Sequence, residues 1–153
     1  MKKVGQIIDR AEQHCKSSGA RLTDKRKQVL TGLVKSDRAL SAYELIDICK
    51  AEFGETLPAT SMYRILEFLR SENLAHKLNL TNQYVACAHI TCDHGHAASQ
   101  FLICGQCQKV KEISVSEATT TELRSEIEHA GYQLATSQFE INCMCEECLA
   151  NAA

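Results

Sequence analysis

Two cysteine pairs constrain the fold of this chain more than any other feature of its sequence. Cys104 and Cys107 form one Cys-x2-Cys knuckle, and Cys145 and Cys148 form a second. Four thiolates complete a tetrahedral zinc site with no open coordination position, and closed sites of this kind are structural. The segment between the knuckles can hold a helix and strands. Zinc is therefore predicted to tie together the ends of a small α/β unit.

The cysteine count and the absence of long apolar runs indicate the cellular compartment in which the protein acts. The 153 residues include nine cysteines, an odd number, and the N-terminus lacks the apolar core of a signal peptide. This usage predicts a reducing cytosol, where thiols bind metal instead of forming disulfides. No apolar run is long enough to cross a bilayer, so no membrane association is expected.

The charge is distributed unevenly along the chain. The net charge is only −2, but residues 1–85 carry 14 Lys+Arg against 10 Asp+Glu, whereas residues 86–153 carry 3 against 9. The first part therefore has a net charge of +4 and the second a net charge of −6. Such asymmetry predicts a basic half that contacts a polyanion and an acidic half with another role.

The basic half has the order of elements of a winged helix-turn-helix domain. Apolar residues at helical spacing predict three or four helices, with Thr23 capping the second and a capping box from Ser41 to Glu44 opening the third. Thr60 or Ser61 is expected to cap the fourth helix. Strand-like runs at 74–80 and 84–88 follow it. In such domains the start of the recognition helix meets base edges, and here that start holds Ser61, Tyr63 and Arg64.

The acidic half is predicted to contain two strands, then a helix, then further strands. Strands are predicted at 101–104 and 110–113, and Ser116 is expected to cap a helix that Gly131 ends. The apolar face of that helix comprises Thr119, Leu123, Ile127 and Ala130. Further strands are predicted at 132–135 and 139–141. The fold class is therefore α+β, and a unit this small should need both zinc and a dimer partner for stability.

A second group of metal-ligand residues lies near the junction of the two halves. It comprises His76, Cys87, His89, Cys92, His94, His96 and Glu112. Mixed imidazole, thiolate and carboxylate ligation suits zinc or another borderline divalent ion. The alternative is a solvated polar linker with incidental histidines. Cys15 and Cys49 instead fall on apolar helix faces and are predicted to lie in the core.

Several motifs, taken in order, resemble the ferric uptake regulator family and, within it, the zinc-sensing branch. They lie at residues 21–26, 40–45, 61–66, 76–77, 84–87 and 101–107. The resemblance implies a homodimeric repressor in the bacterial cytoplasm, associated with the nucleoid when loaded with zinc, that binds palindromic operator DNA and represses zinc-uptake genes. It implies a winged-helix domain over 1–85, a hinge at about 85–97 and an α/β dimerisation domain over 98–153.

The resemblance also assigns residues. It implies two zinc ions per chain, one bound by the two knuckles and a regulatory one bound by His76, Cys87, His96 and Glu112. The interval from Cys87 to Cys104 is about two residues longer than usual, which makes His94 a rival ligand. Tyr43 and Arg64 match base-contacting residues. The other predicted DNA-binding residues are Tyr63, Ser61, Thr60 and Arg26.

Three other classes of protein would use residues of these types. A sibling regulator that senses iron, manganese, nickel or peroxide would share the fold and the DNA binding, but the Cys87 thiolate favours zinc. A zinc deaminase would need a His-x-Glu motif and a proline before a knuckle, and the chain has neither. A zinc-stapled protein-interaction module would not need the basic winged half. The sequence therefore predicts a regulator and not an enzyme.

Overall fold

A computed structural model describes residues 4–90 and 99–151 of the chain. The chain forms two compact units, Met1–His94 and Gly95–Ala153. The predictions that concern Cys92, His94 and His96 lie outside the described residues. The domain limits inferred from the sequence, with a hinge at about 85–97, stay a prediction.

The first unit consists of four helices followed by a two-stranded hairpin. Its elements are α1 Val4–Ser17, α2 Asp24–Lys35, α3 Ala42–Phe53, α4 Ala59–Ser71, β1 Ala75–Leu78 and β2 Gln83–Ala86. The strands are antiparallel, and Leu40 and Tyr84 exchange two backbone hydrogen bonds of 2.9 and 2.7 Å that attach the α2–α3 connection to β2. This arrangement is a winged helix, as the sequence predicts.

Three of the four predicted helix caps form, and the fourth does not. Thr23 caps α2, and Ser41 with Glu44 forms a complete capping box on α3. The prediction for α4 was wrong, because its N-cap is Pro58 and no side chain caps it. The pyrrolidine ring fixes φ at −64°, and the chain enters the helix directly after it. Thr60 and Ser61 consequently stand inside the first turn.

The core of the first unit is built from all four helices and the hairpin. Cys15 on α1 and Cys49 on α3 are completely buried in it, which confirms their prediction as core residues. Leu66 and Leu69 on α4 and Tyr84 on β2 are equally inaccessible or nearly so. Burial of these side chains holds α4 in place, and its opposite face stays in solvent.

The second unit is a three-stranded sheet with two helices. Its elements are β3 Ser99–Cys104, β4 Val110–Ser114, α5 Glu117–His129, β5 Glu140–Cys143 and α6 Glu146–Asn151. The strand order is β4-β3-β5, with β4 antiparallel and β5 parallel to the central β3. Ser116 caps α5 as expected. The α+β class inferred from the sequence is confirmed.

The strand predicted at 132–135 does not form, and the strand predicted at 139–141 lies at Glu140–Cys143. Gly131 has a φ of +88°, and no strand follows it before Glu140. The buried side chain of Gln100 holds this connection, donating to the Ser137 carbonyl at 3.1 Å and accepting from the Phe139 amide. Apolar alternation marks a segment that can form a strand, but in the described sheet residues 132–135 pair with neither edge strand, β4 or β5.

The apolar face predicted for α5 is not covered within this unit. No residue of α5 is buried, and Leu123 is 43% exposed. Other large apolar side chains of the unit are also exposed, namely Tyr132, Ile141, Met144 and Leu149. Among the described residues, no helix has both the length and the apolarity that a membrane crossing requires.

Candidate metal centres and nucleic-acid interface

The two knuckles meet in space. Cys104 ends β3 and Cys107 lies in the turn after it, while Cys145 directly precedes α6 and Cys148 lies within it. The four sulfur atoms all lie within 4.8 Å of one another, and the Sγ atoms of Cys107 and Cys145 are 3.6 Å apart. Zinc–sulfur bonds of about 2.3 Å in a tetrahedron place sulfur atoms about 3.8 Å apart. The spacing therefore fits a shared zinc ion, and these cysteines are free thiols.

Backbone amides prepare one of these sulfurs for metal binding. The amides of Cys107, Cys145 and Gln106 hold the pKa of Cys104 down at about 5, and the Cys145 amide lies 3.4 Å from that sulfur. In contrast, hydrogen bonding with the Cys145 thiol, together with burial, raises the pKa of Cys148 to about 12. Four adjacent sulfurs cannot all be anionic without a cation among them. The donor set therefore fits a soft divalent metal such as zinc.

The backbone around the knuckles is also ordered by hydrogen bonds. The Gly105 amide donates to the Cys143 carbonyl at 2.9 Å, which joins the first knuckle to the end of β5. The Lys109 ammonium lies 2.7 Å from the Glu147 carboxylate and links the two knuckles a second time. Cys143 is exposed and does not belong to the four-sulfur cluster. It is therefore a suitable comparison residue for the four ligands.

A second pair of ligand residues lies at the base of the wing. His76 is opposite Val85 in the hairpin, so Cys87, two residues further on, is its diagonal neighbour on the same face. The ligand atoms of His76 and Cys87 lie within 4.8 Å of each other. Cys87 is 5% exposed, and its sulfur accepts from the His89 amide at 3.4 Å. An imidazole and a cysteine sulfur at this separation suit zinc.

Glu112, the predicted carboxylate ligand, lies on β4 opposite Phe101. It is partly buried, and its Oε2 atom accepts a hydrogen bond from the Ser99 hydroxyl at 2.6 Å. The structure thus gives the carboxylate a defined partner in its own sheet. The assignment of His76, Cys87, His96 and Glu112 to one zinc ion stays a prediction.

Three of the residues predicted to contact DNA, Tyr43, Tyr63 and Arg64, are exposed near helix starts. Tyr43 opens α3 and is 65% exposed, whereas Tyr63 and Arg64 occupy the first turns of α4 and are also accessible. Glu67, three residues after Arg64 on the same helix, pairs with Arg70 at 2.6 Å. Across residues 4–90 and 99–151, no hydrogen bond or ion pair engages the Arg64 side chain.

Arg26 differs from the other residues predicted to bind DNA. Its guanidinium lies 3.7 Å from the centre of the Phe68 ring and donates to the Arg21 carbonyl at 2.7 Å. It therefore joins the start of α2 to the helix that carries Arg64. Its role in DNA binding stays a prediction, as do those of Thr60 and Ser61.

Sequence reasoning missed three features of these sites. Helix α6, which carries Cys148, was not predicted, because six residues at the end of a chain give too short a periodic signal. The contact between Lys109 and Glu147 and the hydrogen bond from Ser99 to Glu112 also escaped notice. The hydrogen bond from Ser99 to Glu112 depends on the register of β3 against β4, which the sequence does not give.

Comparison with known proteins agrees with this geometry. The chain is 31% identical over 144 residues to the zinc uptake regulation protein of Escherichia coli (strain K12), covering 94% of this chain and 82% of that protein. A solved structure of a zinc uptake regulator complexed with zinc and DNA is 28% identical, covers all of both chains and superposes with a TM-score of 0.81. The crystal structure of holo XcZur is 28% identical, with coverage of 95% and 98% and a TM-score of 0.76.

The match to a protein family extends over both units. Residues 17–148 match the ferric uptake regulator family, a span that includes the wing, the residues around Cys87 and all four clustered cysteines. The recognition helix and both knuckles lie within that span. With its winged helix, its four-sulfur cluster and these relatives, the chain belongs to the ferric uptake regulator family.

Proposed function

We propose that this chain is a zinc-responsive transcriptional repressor, whose zinc-loaded homodimer binds palindromic operator DNA and represses zinc-uptake genes. The observation that carries the proposal is the buried Cys87 thiol beside His76 at the base of the wing. Similarity to zinc uptake regulators supports it. Such a protein acts in the bacterial cytoplasm, associates with the nucleoid when loaded, and regulates transcription without catalysing a reaction.

The chemistry of Cys87 distinguishes this function from that of sibling regulators. Iron and manganese sites favour imidazole and carboxylate ligands, whereas a thiolate favours zinc. The amide hydrogen bond from His89 to the Cys87 sulfur stabilises the anionic form that metal binding requires. This sulfur is therefore the group that selects zinc among the divalent ions.

Two zinc ions per chain follow from two separate ligand sets. The four clustered cysteines would hold a structural ion, and His76, Cys87, His96 and Glu112 would hold a regulatory ion. In the first set every ligand comes from the second unit, so its ion stabilises that unit locally. In the second set the ligands come from distant segments of the chain, which suits a site that responds to zinc concentration.

The first prediction concerns the structural site. Cys104→Ser or Cys148→Ser should remove one tightly held zinc per chain and unfold the second unit, because structural zinc contributes on the order of 10 kcal/mol to small domains. Metal analysis and circular dichroism measure both effects. Cys143→Ser, the exposed neighbour, should keep the zinc and the fold. A folded, zinc-free Cys148→Ser protein would contradict the assignment.

The homodimer is proposed from the surface of the second unit. Leu123, Tyr132 and Ile141 are exposed apolar side chains, and β5 pairs with a strand on only one side in the described sheet. Unpaired strand edges and apolar surface of this kind are normally covered. A second copy of the chain would cover them, and its two-fold symmetry would match a palindromic operator.

A charge placed on this surface tests the dimer. Ile141→Lys should convert the dimer to monomer, because a buried ammonium would face an apolar partner surface. Analytical ultracentrifugation measures the change. Leu80→Lys places the same charge on a more exposed apolar residue of the first unit and should leave the dimer intact. A monomeric wild-type protein in zinc would refute the proposed dimer.

DNA recognition is proposed for the start of α4. Its first turn has no side-chain cap, and Thr60 and Ser61 stand there as candidate phosphate contacts. Tyr63 and Arg64 follow, and Tyr43 stands at the start of α3. Helix N-termini attract phosphate, and an extended Arg side chain can pair with a guanine edge.

Arg64→Ala should abolish operator discrimination without affecting the fold or the dimer. A bidentate Arg–guanine pair is worth roughly 1–3 kcal/mol of base discrimination, and no contact within the described protein would be lost. Binding to operator and to scrambled DNA, measured by fluorescence anisotropy at fixed salt, gives the ratio. Arg70→Ala, on the same helix but paired with Glu67, is the matched control. An unchanged ratio for Arg64→Ala would show that this arginine is only a solvated charge.

Zinc sensing is proposed to act through linkage between ligand binding and DNA binding. A bound zinc ion supplies a cross-link between its ligand side chains. His76 and Cys87 belong to the unit with the recognition helix, whereas Glu112 belongs to the other unit. Joining them restricts the unit that carries α4 and favours the DNA-binding state. Allosteric coupling of about 1–3 kcal/mol would change DNA affinity roughly 5–150-fold.

Cys87→Ser should give a folded dimer whose DNA affinity no longer rises with zinc. Serine keeps the size of the side chain but is a poor zinc ligand at neutral pH. Loss of His76 or Glu112 should act in the same way, and His96 is expected to matter more than His94. A zinc titration of operator binding, repeated with iron and manganese, measures the response. Cys143→Ser is the control for cysteine loss. A wild-type zinc response from Cys87→Ser means that the sensor lies elsewhere.

A further inference from the structure

The hydrogen bond from Ser99 to Glu112 connects the first residue of β3 to the middle of β4. Phe101 is the direct partner of Glu112, and Ser99 is the direct partner of Ser114. Ser99 is therefore the diagonal neighbour of Glu112 on one face of the sheet, within reach of a longer side chain. The Ser99 Oγ and Glu112 Oε2 atoms are 2.6 Å apart.

This distance describes a short hydrogen bond between the two side chains. Hydroxyl-to-carboxylate hydrogen bonds are typically 2.5–2.7 Å long, shorter than bonds between neutral groups. Both residues are partly buried, so the bond is shielded from competing water. The serine thus holds one oxygen of the Glu112 carboxyl group in a fixed direction. A carboxyl group has two oxygens and about four lone-pair sites, so one hydrogen bond to Oε2 does not by itself prevent metal ligation.

The immediate surroundings keep the two residues together. Phe101, which lies between Ser99 and Ile103 on the same strand face, is completely buried and fixes that face of β3. The antiparallel ladder continues from Ser99 to Ile103 without interruption. Because the backbone fixes the separation of the two residues, the serine needs only its hydroxyl to orient the carboxylate. A slip of this register by one residue would turn the serine to the opposite face.

We propose that Ser99 is a positioning residue for Glu112, and that its hydroxyl sets the zinc affinity of the regulatory site. The inference rests on the proposed function, in which Glu112 is a ligand. Partners of metal-ligating carboxylates orient the ligand, and their loss typically lowers metal affinity 10–100-fold. Without the hydroxyl, Glu112 loses this orienting contact, and the side-chain freedom gained there must be lost again when metal binds, which weakens binding.

The test compares four variants of the full-length chain. Ser99→Ala removes the hydroxyl, whereas Ser99→Thr keeps it and suits a strand. Glu112→Gln removes the proposed ligand charge. Ser125→Ala, on the exposed face of α5, is the control for loss of a serine in the same unit. The regulatory zinc affinity is measured by competition with a chelator, while the cysteine-bound ion is retained. The absorption of thiolate-bound Co²⁺ reports coordination independently of DNA.

The expected results separate this inference from the ligand assignment. Ser99→Ala should bind regulatory zinc roughly 10–100-fold more weakly, Ser99→Thr should recover most of the affinity, and Ser125→Ala should match the wild type. If Glu112→Gln weakens binding but Ser99→Ala does not, the positioning role is refuted and the ligand assignment stands. Equal weakening in Ser99→Ala and Ser99→Thr also refutes it, because packing and not the hydroxyl would then matter. If Glu112→Gln has no effect, both the inference and the proposed ligand set fail.

Discussion

The second unit depends on the contact among four sulfur atoms. Of the described residues from 99 to 151, only Gln100, Phe101, Cys104 and Cys148 are buried, and two of these four are in the cluster. A sheet of three short strands cannot stabilise itself with so little apolar burial. The cluster joins the end of β3 to the start of α6, so metal binding there replaces the hydrophobic core that the unit lacks. Its exposed apolar surface then becomes available for a partner.

The first unit is stabilised in a different way, and this difference supports different roles for the two proposed metal sites. Its helices and hairpin share a continuous core that includes Cys15 and Cys49, and burial raises the pKa of both thiols above the ordinary value. These sulfurs stay protonated and inert. Cys87 is also buried, but it receives an amide hydrogen bond and lies beside an imidazole. The unit folds around apolar contacts, so the metal proposed at Cys87 would not be needed for folding and would be available for regulation.

The sequence predicted those features that depend on local chemistry. The caps at Thr23, Ser41 and Ser116 were confirmed because a cap is decided by a few adjacent residues. The knuckles were recognised because a two-residue spacer is itself a metal-binding geometry. The missing strand at 132–135 and the exposed face of α5 depend instead on which neighbours are available. A pattern in a single sequence does not show which neighbours a segment will have. The pairing of Ser99 with Glu112 was missed for the same reason, because it follows from strand register.

Arg26 and Arg64 were both predicted to bind DNA, but their contacts in the structure differ. The planar face of the Arg26 guanidinium stacks on Phe68, and one of its N–H groups donates to the Arg21 carbonyl, so the fold fixes its position. Arg64 has no described partner and extends from the start of the helix that Arg26 contacts. A side chain that reads a base must be free to present both donors of one edge, whereas a side chain that braces a helix must not move. Arg26 thus fixes α4 within the fold, and Arg64 is the arginine that we propose to read the operator.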